Sequence, residues 1–370
     1  MNFIDLTEQQ EMIREEIYRN ISKVLDHGKY INGPEVVELE TKLAKYVDVS
    51  YAVGCSSGTD ALLMALMAYN TGPGDIVFTT PFTFFATAEV IQLLGATVVF
   101  VDIEPDTYNI DALKLEEVVI KTINESSLTP RGIIPVDLFG QAADYDEINS
   151  VAKRHDLFVV EDGAQSFGAT YKGRKCCSLS DIGITSFFPA KPLGCYGDGG
   201  MLFSNDKELY EKLISIRVHG QGKDKYHNIR TGLNGRLDAI QAAILLAKYE
   251  IFDDEMILRQ EVAGRYYEGL CDFVVAPLVR DYNISSWAQY SILHPERDEI
   301  ISKLTEKGIP TSIYYPIPLH LQDALNHLGY KRGDFPVTEE ISKKIFSIPM
   351  YPYLKAEDQE KIIEVISEFR

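Results

Sequence analysis

Cysteine, histidine and tryptophan are scarce in this chain of 370 residues, which holds five, seven and one of them. The cysteines, at positions 55, 176, 177, 195 and 271, are odd in number and two are adjacent, a spacing that suits neither a disulfide framework nor a zinc site. A reducing compartment fits such usage, and the cytoplasm is the expected location. The histidines are scattered, with no His-x-x-x-His pair, so no metal is expected. Positive charge is short as well. Lys and Arg total 36 against 55 Asp and Glu, a net charge of −19, and such a surface repels nucleic acid and anionic membranes. Long apolar runs are missing: no stretch reaches the roughly 20 residues that span a bilayer. The opening Met1-Asn2-Phe3-Ile4-Asp5 lacks the cationic and apolar segments of a secretory signal.

What is present is enough apolar material for a core, with 45% hydrophobic and 25% charged residues. Strand-like runs at Ala52–Gly54, Ile76–Thr80, Thr97–Ile103, Gly132–Leu138, Leu157–Val160 and Ile182–Phe188 alternate with helical patterns at Thr59–Tyr69, Tyr145–His155 and Lys207–Arg217. That alternation predicts an α/β fold, a mostly parallel sheet with helices on both faces. A long helix over Gly235–Glu250 closes this region, and a helix over Glu8–Val24 precedes it. After about Phe252 the pattern loosens into short strand-like pieces at Phe273–Val275 and Tyr290–Leu293, a helix near Asp298–Lys307 and a last helix from Ala356. The expected division is a large domain over residues 1–250 and a smaller α+β domain over 251–370, with the N-terminal helix open to packing on either.

Three segments carry chemistry. Leu157 to Ser166 is an apolar run ending in Glu161-Asp162-Gly163, which sets Asp162 at the carboxyl edge of a buried strand, where its charge needs a cation or water. A plain helix N-cap reads the same. About thirty residues on, Lys191 closes another apolar strand, after Ser186 and between Pro189 and Pro192 with several glycines nearby. Such framing holds an amine in surroundings that lower its pKa, the condition for a Schiff base, although an ordinary loop lysine is the plainer alternative. The third, Gly54-Cys55-Ser56-Ser57-Gly58-Thr59-Asp60, has the form strand, turn, helix start, whose free N–H groups bind a phosphate or simply cap the helix. Together, a phosphate cup, a carboxylate and a strand-end lysine meet the needs of pyridoxal 5'-phosphate.

At this point the chain resembles the DegT/StrS-type nucleotide-sugar aminotransferases, members of fold type I of the pyridoxal-phosphate enzymes, over essentially its whole length. The landmarks are Gly28–Glu35, the turn ending at Asp60, Thr83–Thr87, Glu161–Gln165, the lysine segment, Gly232–Arg236 and Ser347–Pro352. The resemblance implies Lys191 as the Schiff-base lysine and Asp162 as partner of the pyridine nitrogen. It implies Gln165 near the phenolic oxygen, Phe84 stacked on the ring, and Gly58, Thr59 and Ser186 on the phosphate. Asn234 matches a residue that reaches the phosphate from a neighbouring subunit, implying a homodimer with shared sites. Some members carry histidine in place of the lysine and act as dehydratases; the lysine here implies transamination.

The implied substrates are L-glutamate and a nucleotide-linked keto sugar, both anionic. Residues 214–236 offer Arg217, Lys223, Lys225, Arg230 and Arg236 with one acid, Asp224, a positive island in an acidic chain. A solvated loop is the plainer reading. Arg236 is the candidate for a substrate carboxylate, because its fork pairs with one bidentately. Tyr315 and His320, in a proline-framed stretch, are candidates for a lip over the sugar, as are Tyr30 and Asn32 in a turn; Trp287 is expected in the core. The wording Lys191–Tyr196 is most similar to the branch that aminates C3 of UDP-2-acetamido-2-deoxy-3-oxo-glucuronate for surface polysaccharides such as lipopolysaccharide. Branches acting on dTDP- or UDP-linked 3- or 4-keto deoxy sugars stay open, as does a regulator that binds the cofactor without catalysis.

Overall fold

A computed structural model describes residues 1–369. Its centre is a seven-stranded sheet built from β1 (Tyr51–Cys55), β2 (Asp75–Thr79), β3 (Thr97–Phe100), β4 (Thr129–Ile133), β5 (Phe158–Asp162), β6 (Ile182–Ser186) and β7 (Gly200–Ser204), in the spatial order β1-β7-β6-β5-β4-β2-β3. The pairs from β3 through β2, β4 and β5 to β6 are parallel, as the alternating pattern predicts. Only β7 runs against its neighbours β1 and β6. Sequence reading missed it because Gly197, Gly199 and Gly200 make its approach look like a loop. Yet its side chains alternate: Leu202 joins the core on one face, Met201 and Phe203 the core on the other. The run Gly132–Leu138 is strand only to Ile133, after which the chain touches β5 again through a bridge from Val136 to Asp162.

The helices cover both faces. They are α1 (Thr7–Met12), α2 (Arg14–His27), α3 (Pro34–Val47), α4 (Gly58–Ala68), α5 (Ala86–Leu93), α6 (Ala112–Glu125), α7 (Tyr145–Arg154), α8 (Lys207–Arg217) and α9 (Ala239–Tyr249). The single N-terminal helix expected over Glu8–Val24 is two, broken at Ile13. Ile13 and Ile17 pack on Ile244 and Ala247 of α9, while Gln9 of α1 donates to Glu255 beyond residue 251. The predicted helix over Gly235–Glu250 starts only at Ala239, because residues 234, 236 and 238 are extended and bridge to Val218, Cys55 and Ile31. No helix among the described residues is long and apolar enough to cross a membrane.

Beyond residue 251 the chain opens with α10 (Phe252–Leu270), a 19-residue helix where the sequence pattern loosens. Its buried side includes Glu255 and Arg259 among Met256, Val262, Tyr266 and Leu270, and those charges dilute the apolar stripe. With α11 (Arg297–Glu306), α12 (Pro336–Lys344) and α13 (Ala356–Ile366) it accompanies a two-stranded antiparallel sheet of β8 (Tyr290–Leu293) and β9 (Ile345–Ile348). Trp287 packs there as expected, on Tyr290. The segment around Leu319, Leu325 and Phe335 returns to the core of the large sheet.

One ion pair ties the first strand to its surroundings. Arg217, at the end of α8, is buried and donates to Glu40 Oε1 of α3 at 2.6 Å and to the Gly54 carbonyl at 3.0 Å, while the Gly54 N–H reaches the same Glu40 oxygen at 2.8 Å. Arg217 is therefore a brace for β1, which corrects its place in the positive island. Glu40→Ala strands this guanidinium without a counterion and is expected to destabilise the fold by about 3 kcal/mol. Urea unfolding checks this; a loss near zero contradicts it.

Candidate active site

The carboxyl ends of β1, β2, β5 and β6 converge on a cavity of about 430 Å³. It gathers Asp162, Gln165, Ser186, Lys191, Gly58, Thr59, Phe84 and Tyr315 from five of the segments singled out in the sequence. The register of β5 on β6, with Asp162 opposite Ile184, sets Ser186 just beyond the carboxylate and the turn bearing Lys191 beyond that. This turn closes tightly: Lys191 N–H donates to the Phe188 carbonyl and Cys195 N–H to the Phe187 carbonyl, both at 2.8 Å. A Cβ on Gly194 would stand 2.5 Å from the Pro189 oxygen, so only glycine fits there.

Asp162 is buried, with its Oδ2 accepting from the Thr87 hydroxyl at 2.8 Å and its Oδ1 from the Ala164 N–H at 3.2 Å. Burial raises its pKa above the ordinary carboxylate value, against the pull of these donors and of Lys191. Burial likewise lowers the pKa of the Lys191 amine, opposed by Asp162. The two charges feel each other without forming an ion pair among the described residues, which leaves the space between them for a bound group. Gln165 is fixed at both ends of its amide. Its Oε1 accepts from the Phe139 N–H at 2.8 Å, and its Nε2 donates to the Tyr315 hydroxyl at 3.3 Å.

The turn before α4 is a helix start with donors to spare. Ser57 caps it, accepting from the Asp60 N–H at 3.0 Å, and among the described residues the amides of Gly58 and Thr59 find no protein acceptor. A Cβ on Gly58 would stand 2.8 Å from Ser186 Cβ, so the cup needs glycine to bring the two segments together. The Ser186 oxygen accepts from the Phe188 N–H at 3.3 Å, leaving its own proton free for an anion. Phe84 is more than half exposed and faces the cavity.

Pyridoxal phosphate fits these residues: amides and a hydroxyl for the phosphate, a buried carboxylate lacking a cation for the protonated ring nitrogen, a low-pKa amine for the aldehyde. Thr87 and Gln289 also line the cavity and were missed, and Tyr314 of the proline-framed stretch stands there beside Tyr315. For Thr87 the signal lay within Thr83–Thr87, but only the packing of α5 on the end of β5 shows its hydroxyl on Asp162.

The other candidates do not line this chain's cavity. His320 is a correction: it is fully buried, with Nε2 3.1 Å from Glu339 and its ring edge-on to Phe335, so it serves the core. Tyr30 and Asn32 lie on an exposed turn whose Tyr30 carbonyl accepts from the Ala239 N–H. Asn234 is exposed, and Arg236 is half-buried beside Cys55, its Nε without a partner among the described residues.

Residues 11–367 match the DegT/DnrJ/EryC1/StrS aminotransferase family. The chain belongs to that family. It is 48% identical over 357 residues, 96% of each chain, to the UDP-2-acetamido-2-deoxy-3-oxo-D-glucuronate aminotransferase of Pseudomonas aeruginosa. It is also 45% identical, over 99% of its own length and 97% of the relative's, to a Geobacillus stearothermophilus protein named pleiotropic regulatory protein. Among solved structures, a family aminotransferase from Brucella abortus superimposes with a TM-score of 0.97 at 50% identity, covering 100% of this chain and 99% of the other. The Bacillus subtilis protein ntda, solved with bound cofactor PMP, gives a TM-score of 0.88 at 31% identity over 96% and 81%.

Because burial raises the pKa of Asp162, the folded protein holds this proton more tightly than the unfolded chain does. Its contribution to stability is therefore present at acid pH and is lost as pH rises through the raised folded value. Cofactor-free Asp162→Asn is expected to melt at or above the wild-type temperature at pH 8, with the difference shrinking toward pH 4. Thermal denaturation at both pH values checks this, and a wild type more stable than the variant at pH 8 contradicts it.

Proposed function

We propose that the protein moves an amino group from L-glutamate to a nucleotide-linked keto sugar with the help of pyridoxal phosphate. The proposed acceptor is C3 of UDP-2-acetamido-2-deoxy-3-oxo-glucuronate, in the cytoplasmic stage of surface polysaccharide synthesis. The observation that carries the reading is a buried carboxylate facing a low-pKa amine across a cavity floored by an anion-binding helix start. The acceptor follows the Pseudomonas relative, with the dTDP- and UDP-linked deoxy sugars of other family members as the alternative.

When bound, the cofactor supplies an electron sink and carries the amino group between the two half-reactions. This chain's residues do the rest. Gly58, Thr59 and Ser186 would hold the phosphate, and Asp162 would keep a proton on the ring nitrogen. Gln165 would offer an N–H to the phenolic oxygen, and Phe84 would supply an aromatic face for the ring. Lys191, whose pKa burial lowers, would supply the amine for the aldehyde and would hold and move the proton at its Nζ.

In this proposal a homodimer completes the site. Asn234 approaches the phosphate of the neighbouring subunit, Arg236 pairs there with a substrate carboxylate, and Tyr30 and Asn32 join from the same edge. Tyr315 contacts the sugar from within the chain. Residues 1–250 form the cofactor-binding part and residues 251–370 the smaller one.

A second reading, a regulator that binds the cofactor without turnover, draws on the name of the Geobacillus relative. Glutamate decides between them. Added to the purified cofactor-loaded protein, it is expected to abolish the visible band of the lysine-bound form and to release 2-oxoglutarate, while Lys191→Ala lacks that band and releases 2-oxoglutarate at least about a hundredfold more slowly. A band that ignores glutamate overturns transamination. Loss of a sugar hydroxyl without glutamate consumption indicates a dehydratase.

A further inference from the structure

Behind the cavity, on the far side of β5 from the ligand space, two carboxyl groups meet without a cation among the described residues. Asp137 and Glu161 are both fully buried, and their oxygens lie with the Cys176 sulfur within 4.8 Å of one another. We propose that Asp137 and Glu161 share one proton as a single carboxyl–carboxylate unit and act as positioning residues that set Asp162 and Gln165 against the cofactor. The inference rests on the pyridoxal-phosphate reading of the cavity.

Two bare negative charges at this depth are prohibitively costly, so the pair keeps one proton between them. The donors tell which group carries it. Asp137 accepts from the Ala143 N–H at 3.0 Å, the Tyr145 hydroxyl at 2.9 Å and the Ser166 hydroxyl at 2.7 Å, a shell suited to an anion. Glu161 accepts from the Cys177 N–H at Oε1 and from the Leu179 N–H at Oε2, and in this proposal the shared proton sits on its side of the pair, facing Asp137. Burial and then the Asp137 charge hold the Glu161 carboxyl well above its usual range, while burial lifts Asp137 only to about 6 against its donors. A metal ion is disfavoured here: the oxygens are already taken by neutral donors, and burial keeps the Cys176 thiol protonated.

The unit reaches the site by two short routes. Glu161 directly precedes Asp162, and the Asp137 N–H donates to the Asp162 carbonyl at 3.1 Å. Asp137 also holds Ser166, next to Gln165, while its own loop supplies the Phe139 N–H that fixes the Gln165 amide. One buried charge thus clamps the 137–143 loop to the 163–166 turn. Letting go of it shifts both groups that meet the ring, and small displacements at such positions are amplified in rate.

The test compares Glu161→Gln, which keeps an amide donor toward Asp137, with Glu161→Ala, Asp137→Asn and the milder Ser166→Ala. In cofactor-free protein, hydrogen exchange of peptides covering 137–143 and 163–166 is expected to rise in Asp137→Asn and Ser166→Ala and to stay near wild type in Glu161→Gln. In the loaded protein, Asp137→Asn shifts the cofactor's visible band and slows its reaction with glutamate about tenfold or more. Ser166→Ala shifts the band in the same direction with a smaller rate loss, and Glu161→Gln stays within about threefold of wild type. The clamp is overturned if Asp137→Asn, or Ser166→Ala should the former not fold, keeps wild-type exchange and band. Proton sharing is overturned if Glu161→Gln behaves like Glu161→Ala. A wild type with no cofactor band overturns the reading of the cavity instead, and the exchange result still judges the clamp.

Discussion

A carboxylate kept inside a protein without an ion pair is expensive, and Asp162 is such a group. Its pKa is pushed up by burial even with a hydroxyl and an amide donating to it. Much of the surrounding architecture exists to hold it there. The parallel register of β5 and β6 fixes its height at the carboxyl edge of the sheet, α5 brings the Thr87 hydroxyl to it, and the turn 188–195 carries an amine whose pKa burial lowers. A cationic ring between the two removes the mismatch, so affinity for the ligand comes partly from relief of a cost built into the empty fold.

That architecture was readable in the sequence as far as local pattern reaches. Six apolar runs and the glycine-rich turn before α4 announce a parallel sheet with its ligands at one edge, and the strand-end positions of Asp162 and Lys191 follow directly. What escaped is non-local. β7 hides behind glycines that the tight turn needs, and α10 hides behind Glu255 and Arg259, whose partners lie elsewhere: Gln9 on Glu255 and the Trp287 carbonyl on Arg259. His320 and Arg217 looked like ligand residues because polar side chains in loops and helix ends carry no mark of depth. Both are buried against acidic partners, Glu339 and Glu40, that lie far from them in sequence or appear unremarkable there.

Family membership accounts for the shared fold and chemistry and does not by itself fix the sugar. Tyr314, Tyr315 and Gln289 line the mouth within this chain, whereas Arg236 and Asn234 do not face its own cavity. A relative named for glucuronate chemistry and another named as a regulator stand at comparable identity, so overall similarity does not decide between turnover and binding. The chemistry of the amine does.

Covalent trapping addresses that amine directly. The protein loaded with pyridoxal phosphate is reduced with borohydride and digested, and the modified peptide is located by mass spectrometry. The account predicts a phosphopyridoxyl group on Lys191 alone. Lys248 is the internal control, a second buried amine whose pKa burial lowers to about 8, seated on the ring of Tyr196. Modification at Lys248, or none at Lys191, contradicts the account.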